Sequence, residues 1–184
     1  MRSPKALTAM KTRVALTAIA LVVVWLGSHF SGQANNKVTL KDAQGEVVGT
    51  AVLTASPGGG VQISLDIQKL PPGDHAMHVH QAAKCEAPDF ASTGPHFNPA
   101  GKKHGLRSPD GPHAGDMNNF TVDKDGKATR VVDDPRLSLG AEANSVYAGG
   151  GTALVIHASA DDMKTDPSGN SGARIACGVI SKGG

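Results

Sequence analysis

One stretch of the sequence, residues 75–116, restricts the possible folds more than any other. It holds six of the eight histidines and one of the two cysteines, set among Gly, Pro, Ser, Asn and Lys, and little that could form a hydrophobic core. A loop this long inside a compact domain is either disordered or functional. Because this one returns repeatedly to histidine and ends in the carboxylate of Asp116, we interpret it as a loop organised by metal ions.

The sharpest feature of this stretch is the sequence His78-Val79-His80. Alternate side chains of a β-strand share a face, so the two imidazoles would lie side by side with their Cα atoms about 7 Å apart. That arrangement suits two ligands of one metal, although such a pair alone is a weak signal. His75 has the opposite parity, so we expect it to point to the other face and to be structural.

The first 34 residues differ in composition from the rest of the chain. A basic segment is followed by an apolar run over residues 14–27 and by a short segment of small and polar residues. This is the pattern of a secretory signal peptide, with Gly32-Gln33-Ala34 as the candidate cleavage site. We therefore predict a signal peptide over residues 1–34, a single domain over residues 35–184, and export to the periplasm or the cell exterior.

The apolar run is shorter than the roughly 20 residues that a membrane-spanning helix needs. We therefore expect no stable membrane insertion after processing, although an uncleaved anchor and a start at Met10 stay open. Residues 1–34 carry four basic and no acidic side chains, which leaves the mature domain with 14 Lys and Arg against 16 Asp and Glu, a formal charge of −2. Because no basic patch is present, nothing predicts binding to nucleic acid.

Cys85 and Cys177 are the only cysteines. In an exported protein a disulfide between them is the favoured interpretation. Closing a loop of about 90 residues would contribute about 4–5 kcal/mol in the chain-entropy model. The bond would pin the histidine-rich loop to a late strand. Two thiol ligands of a metal are the alternative, but the histidines suffice without them.

The rest of the sequence predicts short β-strands separated by turns rich in Gly and Asp. The clearest strand covers residues 61–67, in which apolar residues alternate with polar neighbours. Further strands are predicted at residues 37–40, 47–54, 78–80, 120–122, 128–132, 153–157 and 174–180, with hairpin signals at residues 44–45 and 123–126. Such strands without helical periodicity imply an all-β antiparallel sandwich or barrel.

The histidines can be divided into two sets of metal ligands. His78 and His80, with His157 from another strand and His96 from the loop, could supply four nitrogens, a set that suits Cu(II). His104, His113 and Asp116 with one further histidine would make the closed four-coordinate site that zinc prefers. Seven ligands serve two such metals only if one ligand bridges, and His96 lies between the two sets in the sequence.

Four segments of the sequence resemble the copper/zinc superoxide dismutases: Gly94-Pro95-His96-Phe97-Asn98-Pro99, Lys103-His104-Gly105, His113-Ala114-Gly115-Asp116 and Ala176-Cys177-Gly178-Val179-Ile180. The resemblance covers nearly all of the chain after the signal segment. It implies a Greek-key eight-stranded antiparallel barrel of the Ig-like kind, with a long metal-binding loop and a short electrostatic loop. It also implies copper bound by His78, His80, His96 and His157, and zinc bound by His96, His104, His113 and Asp116.

The resemblance further implies an antioxidant oxidoreductase. One superoxide anion reduces Cu(II) and leaves as oxygen, and a second reoxidises Cu(I) and leaves as hydrogen peroxide. In the family, the residue at the position of His96 takes a proton on leaving the reduced copper and passes it to the peroxide. Arg174 occupies the position of the anion-guiding arginine, and Asp161 that of a carboxylate bonded to one histidine ligand of each metal. Lys164 could add to the local positive field.

Residues 81–92 and the short loop before Arg174 differ from the cytosolic enzymes and, with the export signal, resemble the bacterial exported branch. That branch does not share the cytosolic dimer surface, so monomer and homodimer both stay open. A non-catalytic copper-binding or copper-delivery protein on the same fold is the alternative function; a missing copper ligand or guide arginine would favour it, and neither is missing. A zinc hydrolase would need an open coordination position, which Asp116 fills.

Overall fold

The computed structural model describes residues 36–183, together with Met1. The predicted signal peptide and its cleavage site therefore lie outside the described residues. Within the described part of the chain, no helix has the length and apolar character needed to cross a membrane.

Nine β-strands form the domain: β1 (Lys37–Lys41), β2 (Val47–Ala55), β3 (Val61–Ile67), β4 (Gly73–His75), β5 (Met77–His80), β6 (Phe120–Val122), β7 (Ala128–Asp134), β8 (Thr152–His157) and β9 (Arg174–Ile180). Seven of them make one antiparallel sheet in the order β5-β8-β9-β1-β2-β3-β7, and β4 pairs with β6. Apart from two single 3₁₀ turns, the described residues contain no helix. The all-β prediction is confirmed.

The count of eight strands follows when β4 and β5 are treated as one strand interrupted at Ala76. The first half pairs with β6 and the second with β8, so this strand joins the two sheets. In the large sheet, the chain passes from β3 near one end to β5 at the other end, and from β7 at the first end back to β8 beside β5. Such crossing connections are typical of Greek-key barrels.

Strand β3 shows why the sequence folds this way. Val61, Ile63, Leu65 and Ile67 are all buried, while the residues between them are half-buried or exposed. Burying a side chain of this size contributes about 1.5–3 kcal/mol. The same alternation places Val38 and Leu40 of β1 in the core. The core is made mainly of aliphatic side chains, as the composition predicts.

One predicted pairing is wrong. Residues 123–126 form a tight turn, with Gly126 N donating to Asp123 O at 3.0 Å, and a hairpin of β6 with β7 was expected around it. Instead β6 pairs with β4 and β7 pairs with β3. A turn sequence fixes the local reversal of the chain, whereas the partner of each strand is decided by which apolar face it buries in the barrel.

The sheet order brings residues that are distant in sequence to one end of neighbouring strands. His157 at the end of β8 is the register partner of Arg174 at the start of β9, next to an irregularity after Ile156. Single antiparallel bridges, His78 with Asp116 and His80 with His96, attach the long loop to β5. The histidine-rich loop is therefore held against the strand that carries the first two histidines.

Candidate metal centre

The first cluster consists of four histidine side chains whose candidate ligand atoms all lie within 4.8 Å of one another: His78, His80, His96 and His157. Strand β5 supplies two of them, β8 the third and the loop the fourth. All four side chains are buried. The Nε2 atoms of His80 and His157 are 3.3 Å apart. Four imidazoles that converge in this way make a nitrogen-rich site.

The second cluster consists of His96, His104, His113 and Asp116, also within 4.8 Å. Asp116 Oδ1 is 2.9 Å from Nδ1 of His96, 3.0 Å from Nδ1 of His104 and 3.3 Å from Nδ1 of His113. The other carboxylate oxygen accepts hydrogen bonds from the backbone N–H groups of Gly105 and His113. Three ring nitrogens and one fixed carboxylate oxygen match the ligand types and number of a closed zinc site.

His96 belongs to both clusters. Its Nδ1 atom faces Asp116, and its Nε2 atom points toward the other three histidines of the first cluster, whose ring centroids lie 4.0–6.1 Å from its own. The two sets are thus joined through one imidazole with a nitrogen in each. This is the arrangement that the ligand count from the sequence requires.

Asp161 connects the two clusters a second time. One carboxylate oxygen lies 3.0 Å from His78 Nε2 and the other 3.1 Å from His104 Nε2. Both rings therefore donate to the carboxylate through Nε2 and direct Nδ1 into their own cluster. Carboxylates placed behind histidine ligands fix the ring orientation and raise ligand basicity.

The residues present fit the two metals. Among the described residues, three buried side-chain nitrogen or oxygen atoms have no hydrogen-bond partner, and two of them are His78 Nδ1 and His96 Nε2, both in the first cluster. Buried polar atoms are almost always paired. These two unpaired nitrogens point at the same space as the Nε2 atoms of His80 and His157. A cation bound by four histidines requires this arrangement.

The titration behaviour of the two clusters differs. Burial and the neighbouring histidines lower the pKa of His157 to about 3. Burial also lowers the pKa of His96 to about 4, although Asp116 opposes this. At neutral pH both rings are uncharged and able to bind a metal. Burial would also lower the pKa of His104, but hydrogen bonds with Asp116 and Asp161 outweigh it and raise that pKa to about 9.

Arg174 lies at the open side of the first cluster. Its Nη1 donates to Phe90 O at 2.7 Å and to Thr93 Oγ1 at 3.1 Å, and its Nη2 donates to Gly94 O at 3.0 Å. A surface depression of about 300 Å³ lies beside the guanidinium. It is lined by three histidines, by Pro95 and by three residues of the loop between β8 and β9: His80, Pro95, His96, His157, Pro167, Ser168, Gly172 and Arg174. Lys164 is exposed and is not part of this lining.

The other residues noted in the sequence are placed as follows. Cys85 and Cys177 form a disulfide with their Cα atoms 5.7 Å apart. His75 is buried outside both clusters, with Nδ1 2.8 Å from His157 O and Nε2 2.8 Å from Pro71 O. Three residues that contact the ligands were not anticipated: Thr93 beside His80, Ser171 beside His157 and Arg136 beside Asp116. No local motif marks them, since they become neighbours of the site only in the folded chain.

A Greek-key β-barrel in which two buried ligand sets share one histidine defines a metalloprotein with a dinuclear centre. Comparison with known proteins agrees with this class. A family model described as copper/zinc superoxide dismutase matches residues 47–180. The chain belongs to the copper/zinc superoxide dismutase family.

Individual relatives cover most of the domain. A protein named superoxide dismutase [Cu-Zn] 2 from Aquifex aeolicus is 46% identical over 157 residues, which cover 84% of this chain and 91% of that protein. The crystal structure of a protein described as SOD-like, from Bacillus subtilis, matches with a TM-score of 0.77 and 39% identity over 79% of this chain and 97% of that one. The Cu/Zn superoxide dismutase from Brucella abortus matches with a TM-score of 0.64 and 32% identity over 79% and 98% of the two chains.

Proposed function

We propose that this protein disproportionates superoxide to oxygen and hydrogen peroxide, with copper bound by His78, His80, His96 and His157 and zinc bound by His96, His104, His113 and Asp116. The observation that carries the proposal is the shared imidazole. One ring nitrogen of His96 lies with the carboxylate cluster and the other, unpaired, lies with the histidine cluster. A protein that only stored or carried copper would not need a second ligand set fused to the first.

Copper held by the four histidines of the first cluster would supply one-electron redox chemistry, because both Cu(II) and Cu(I) are accessible to it. The reaction balances as two superoxide anions and two protons giving one oxygen and one hydrogen peroxide. Side chains of the protein hold the protons and bind the anion. His96 Nε2 is the buried site that can hold one of the two protons and release it to the departing peroxide, while Nδ1 stays beside Asp116.

Arg174 binds the anion. Its contacts with Phe90, Thr93 and Gly94 use three of the five N–H groups of the guanidinium and fix its plane at the edge of the depression. The remaining N–H groups and the fixed charge attract a small anion to the same space as the histidine nitrogens. A positive charge concentrated at the entrance can steer superoxide even though the mature domain is net negative.

Asp161 and the residues of the second cluster fix the orientation of the histidine rings. Asp161 ties one histidine of each cluster to a single carboxylate, and Asp116 sits among three histidines. Zinc has no redox chemistry of its own. In this proposal it therefore acts by fixing and tuning the imidazole of His96.

We further infer that residues 1–34 are a signal peptide and that residues 35–184 act as one domain in the periplasm or outside the cell. The disulfide supports this, since such bonds persist in oxidising compartments. Mass spectrometry of the protein recovered from the exported fraction should give a chain that begins at Asn35. A chain that retains residues 1–34 would contradict the cleavage and favour an uncleaved anchor. Sedimentation of the same sample would decide between monomer and homodimer.

The experiment for the function is an assay of superoxide decay with purified mature protein, with copper and zinc measured on the same sample. We expect activity in proportion to bound copper, none with zinc alone, and inhibition by cyanide, which competes for copper. Full occupancy of both metals without activity would overturn the dismutase proposal and favour a copper-binding or copper-delivery protein.

A further inference from the structure

Two histidines of the first cluster, His80 and His157, have the same surroundings behind the ring. Each directs Nε2 into the cluster and turns Nδ1 toward a backbone carbonyl and a hydroxyl. His80 Nδ1 lies 2.8 Å from Gly94 O and 3.2 Å from Thr93 Oγ1. His157 Nδ1 lies 3.2 Å from Gly172 O and 3.1 Å from Ser171 Oγ. Two loops that are unrelated in sequence thus build the same support.

The protons available to the two hydroxyl groups determine which atom donates in their hydrogen bonds with His80 Nδ1 and His157 Nδ1. A hydroxyl has one proton to donate and two lone pairs to accept with. Thr93 donates its proton to Phe90 O at 2.9 Å, and Ser171 donates to Ser168 O at 2.9 Å. Each hydroxyl oxygen therefore faces the adjacent Nδ1 as an acceptor, as does each carbonyl. Both rings must carry their proton on Nδ1, which leaves the lone pair of Nε2 directed into the cluster.

The two supports differ in one respect. Thr93 Oγ1 also accepts a hydrogen bond from Arg174 Nη1 at 3.1 Å, and Gly94 O accepts from both Arg174 Nη2 and the His80 ring. Among the described residues, Ser171 makes no hydrogen bond with Arg174. Thr93 is fully buried, and its hydroxyl, with one bond donated and two accepted, has no capacity left. No apolar side chain of the same shape could replace it.

We infer that Thr93 is a positioning residue that sets the ring of His80 and the guanidinium of Arg174 through one oxygen atom, whereas Ser171 sets the ring of His157 alone. The inference rests on the proposed function only in taking His80 and His157 as copper ligands and Arg174 as the anion-binding group. Thr93 couples the place where the anion is held to the place where the metal is held, so that removing its hydroxyl disturbs both.

Four variants of the mature protein test this. Thr93→Val keeps the shape and removes the hydroxyl, Thr93→Ala removes it without any demand on space, Thr93→Ser keeps it, and Ser171→Ala is the matched control that leaves Arg174 untouched. The carbonyls of Phe90 and Gly94 still hold Arg174 in all of them, so the fold has other supports. If the valine variant fails to fold, the alanine variant gives the same readouts.

The first readout needs neither copper nor turnover. In zinc-loaded, copper-free protein, ¹⁵N NMR of the imidazoles reports which ring nitrogen carries the proton. Because Gly94 O still accepts from His80 Nδ1 in every variant, we expect the Nδ1–H tautomer throughout. The ¹⁵N chemical shift of His80 Nδ1, which reports how strongly that N–H is hydrogen-bonded, should be as in the wild type in Thr93→Ser and should change in Thr93→Val, where one of its two acceptors is lost. His157 should change only in Ser171→Ala. An unchanged His80 Nδ1 chemical shift in both Thr93→Val and Thr93→Ala would overturn the inference.

The second readout separates the two roles of Thr93. Chelator competition should show Cu(II) affinity lowered about 10–100-fold in both Thr93→Val and Ser171→Ala, the usual loss when a partner behind a ligand is removed. Azide, a small anion whose binding is visible in the Cu(II) absorption spectrum, should bind several-fold more weakly to Thr93→Val and as in the wild type to Ser171→Ala. Equal azide affinities in Thr93→Val and Ser171→Ala would contradict the link to Arg174. A protein that lacked dismutase activity would still give both readouts, so failure of the function and failure of this inference are distinguishable.

Discussion

Arg136 donates a hydrogen bond of 2.6 Å to the backbone carbonyl of Asp116, the residue that supplies the carboxylate of the second cluster. The same Nη2 is 2.9 Å from Asp134 Oδ2, and the carboxylate of Asp134 is completely buried. An ion pair at the end of β7 therefore supports the loop segment in which Asp116 meets three histidines. The support is structural, and its loss should appear first in stability and zinc binding.

Replacing Arg136 with Leu leaves the buried Asp134 carboxylate without its partner. We expect the free energy of unfolding to fall by about 2–4 kcal/mol, since removing one member of a buried pair exposes the full cost of the other charge. Burial already raises the pKa of Asp134, and Arg136 is the main group that opposes it. A carboxyl with a raised pKa in the folded state favours folding at low pH and loses this contribution as pH rises. The deficit of the variant should therefore be larger at pH 8 than at pH 5, as measured by chemical denaturation at both values.

The matched control is Arg130→Leu, because Arg130 is exposed on β7, the strand that ends at Asp134. It should change stability by less than about 0.5 kcal/mol, as surface substitutions usually do. Equal losses in the two variants would contradict the role given to Arg136.

Replacing Asp161 with Asn removes one acceptor from the bridge between His78 and His104. An amide has one oxygen to accept with and its nitrogen would face a donor, so at least one of the two rings loses its orientation. We expect zinc affinity to fall about 10–100-fold. Asp162→Asn is the control, because Asp162 is exposed and its carboxylate accepts from Lys164, Thr165 and Asn170 of its own loop and from neither histidine. Chelator competition should show normal zinc affinity in that control and lower zinc affinity in Asp161→Asn. A lower zinc affinity in Asp162→Asn than in Asp161→Asn would contradict the role of Asp161 as the link between the two rings.

Zinc binding to the metal-free protein should depend on pH. The pKa of His104 is raised to about 9, so at pH 7 its ring is almost entirely protonated and must lose a proton before Nδ1 can bind zinc. Metal affinity then falls by about tenfold for each unit by which the pH is below 9, because one proton competes for the ligand. Chelator competition between pH 6.5 and 9, corrected for protonation of the chelator, measures the slope. An affinity that does not change across this range would contradict the prediction.

Breaking the disulfide should affect both stability and anion binding. The chain-entropy model assigns about 4–5 kcal/mol to a bond between residues 92 positions apart. Cys85 and Cys177 also pack against Phe90, whose carbonyl holds Arg174 at 2.7 Å. The double variant Cys85→Ser and Cys177→Ser should retain both metals, unfold at lower denaturant concentration and bind azide more weakly than the wild type. An unchanged azide affinity would show that the disulfide does not affect the position of Arg174.

Local sequence patterns were enough to predict the bounds of some of the strands. Strands β3 and β9 begin and end at the predicted residues, 61–67 and 174–180. In β3 the apolar and polar side chains alternate in step with the buried and less buried positions, whereas β9 has no such alternation and consists mostly of apolar residues. The sequence also predicted which side chains would converge in the two clusters, because the histidines and Asp116 occur together at the spacing of the family. The turn at residues 123–126 was readable but the partner of β6 was not, because strand pairing depends on the whole barrel.

The sequence did not predict which residues form hydrogen bonds with the side chains or backbone of the two clusters. Thr93 is 13 residues from His80 and 81 from Arg174, and Arg136 is 20 residues from Asp116. Threonine, serine and arginine occur throughout the surface of any protein, so only the folded arrangement shows which of them contacts a ligand. Asp161 was anticipated because the family resemblance pointed to its position, and no feature of residues 161–173 alone would have distinguished it from Asp162.

The most direct test of the account is the rate of superoxide decay per bound copper, compared between the wild type and His157→Ala after loading with copper and zinc. His157 contributes one of the four nitrogens of the first cluster, and its removal leaves the second cluster intact. We predict a rate proportional to copper in the wild type and a rate near that of the buffer in the variant, with zinc content equal in both. A variant that dismutates superoxide as fast as the wild type, or a fully loaded wild type with no activity, would contradict superoxide dismutation at the first cluster.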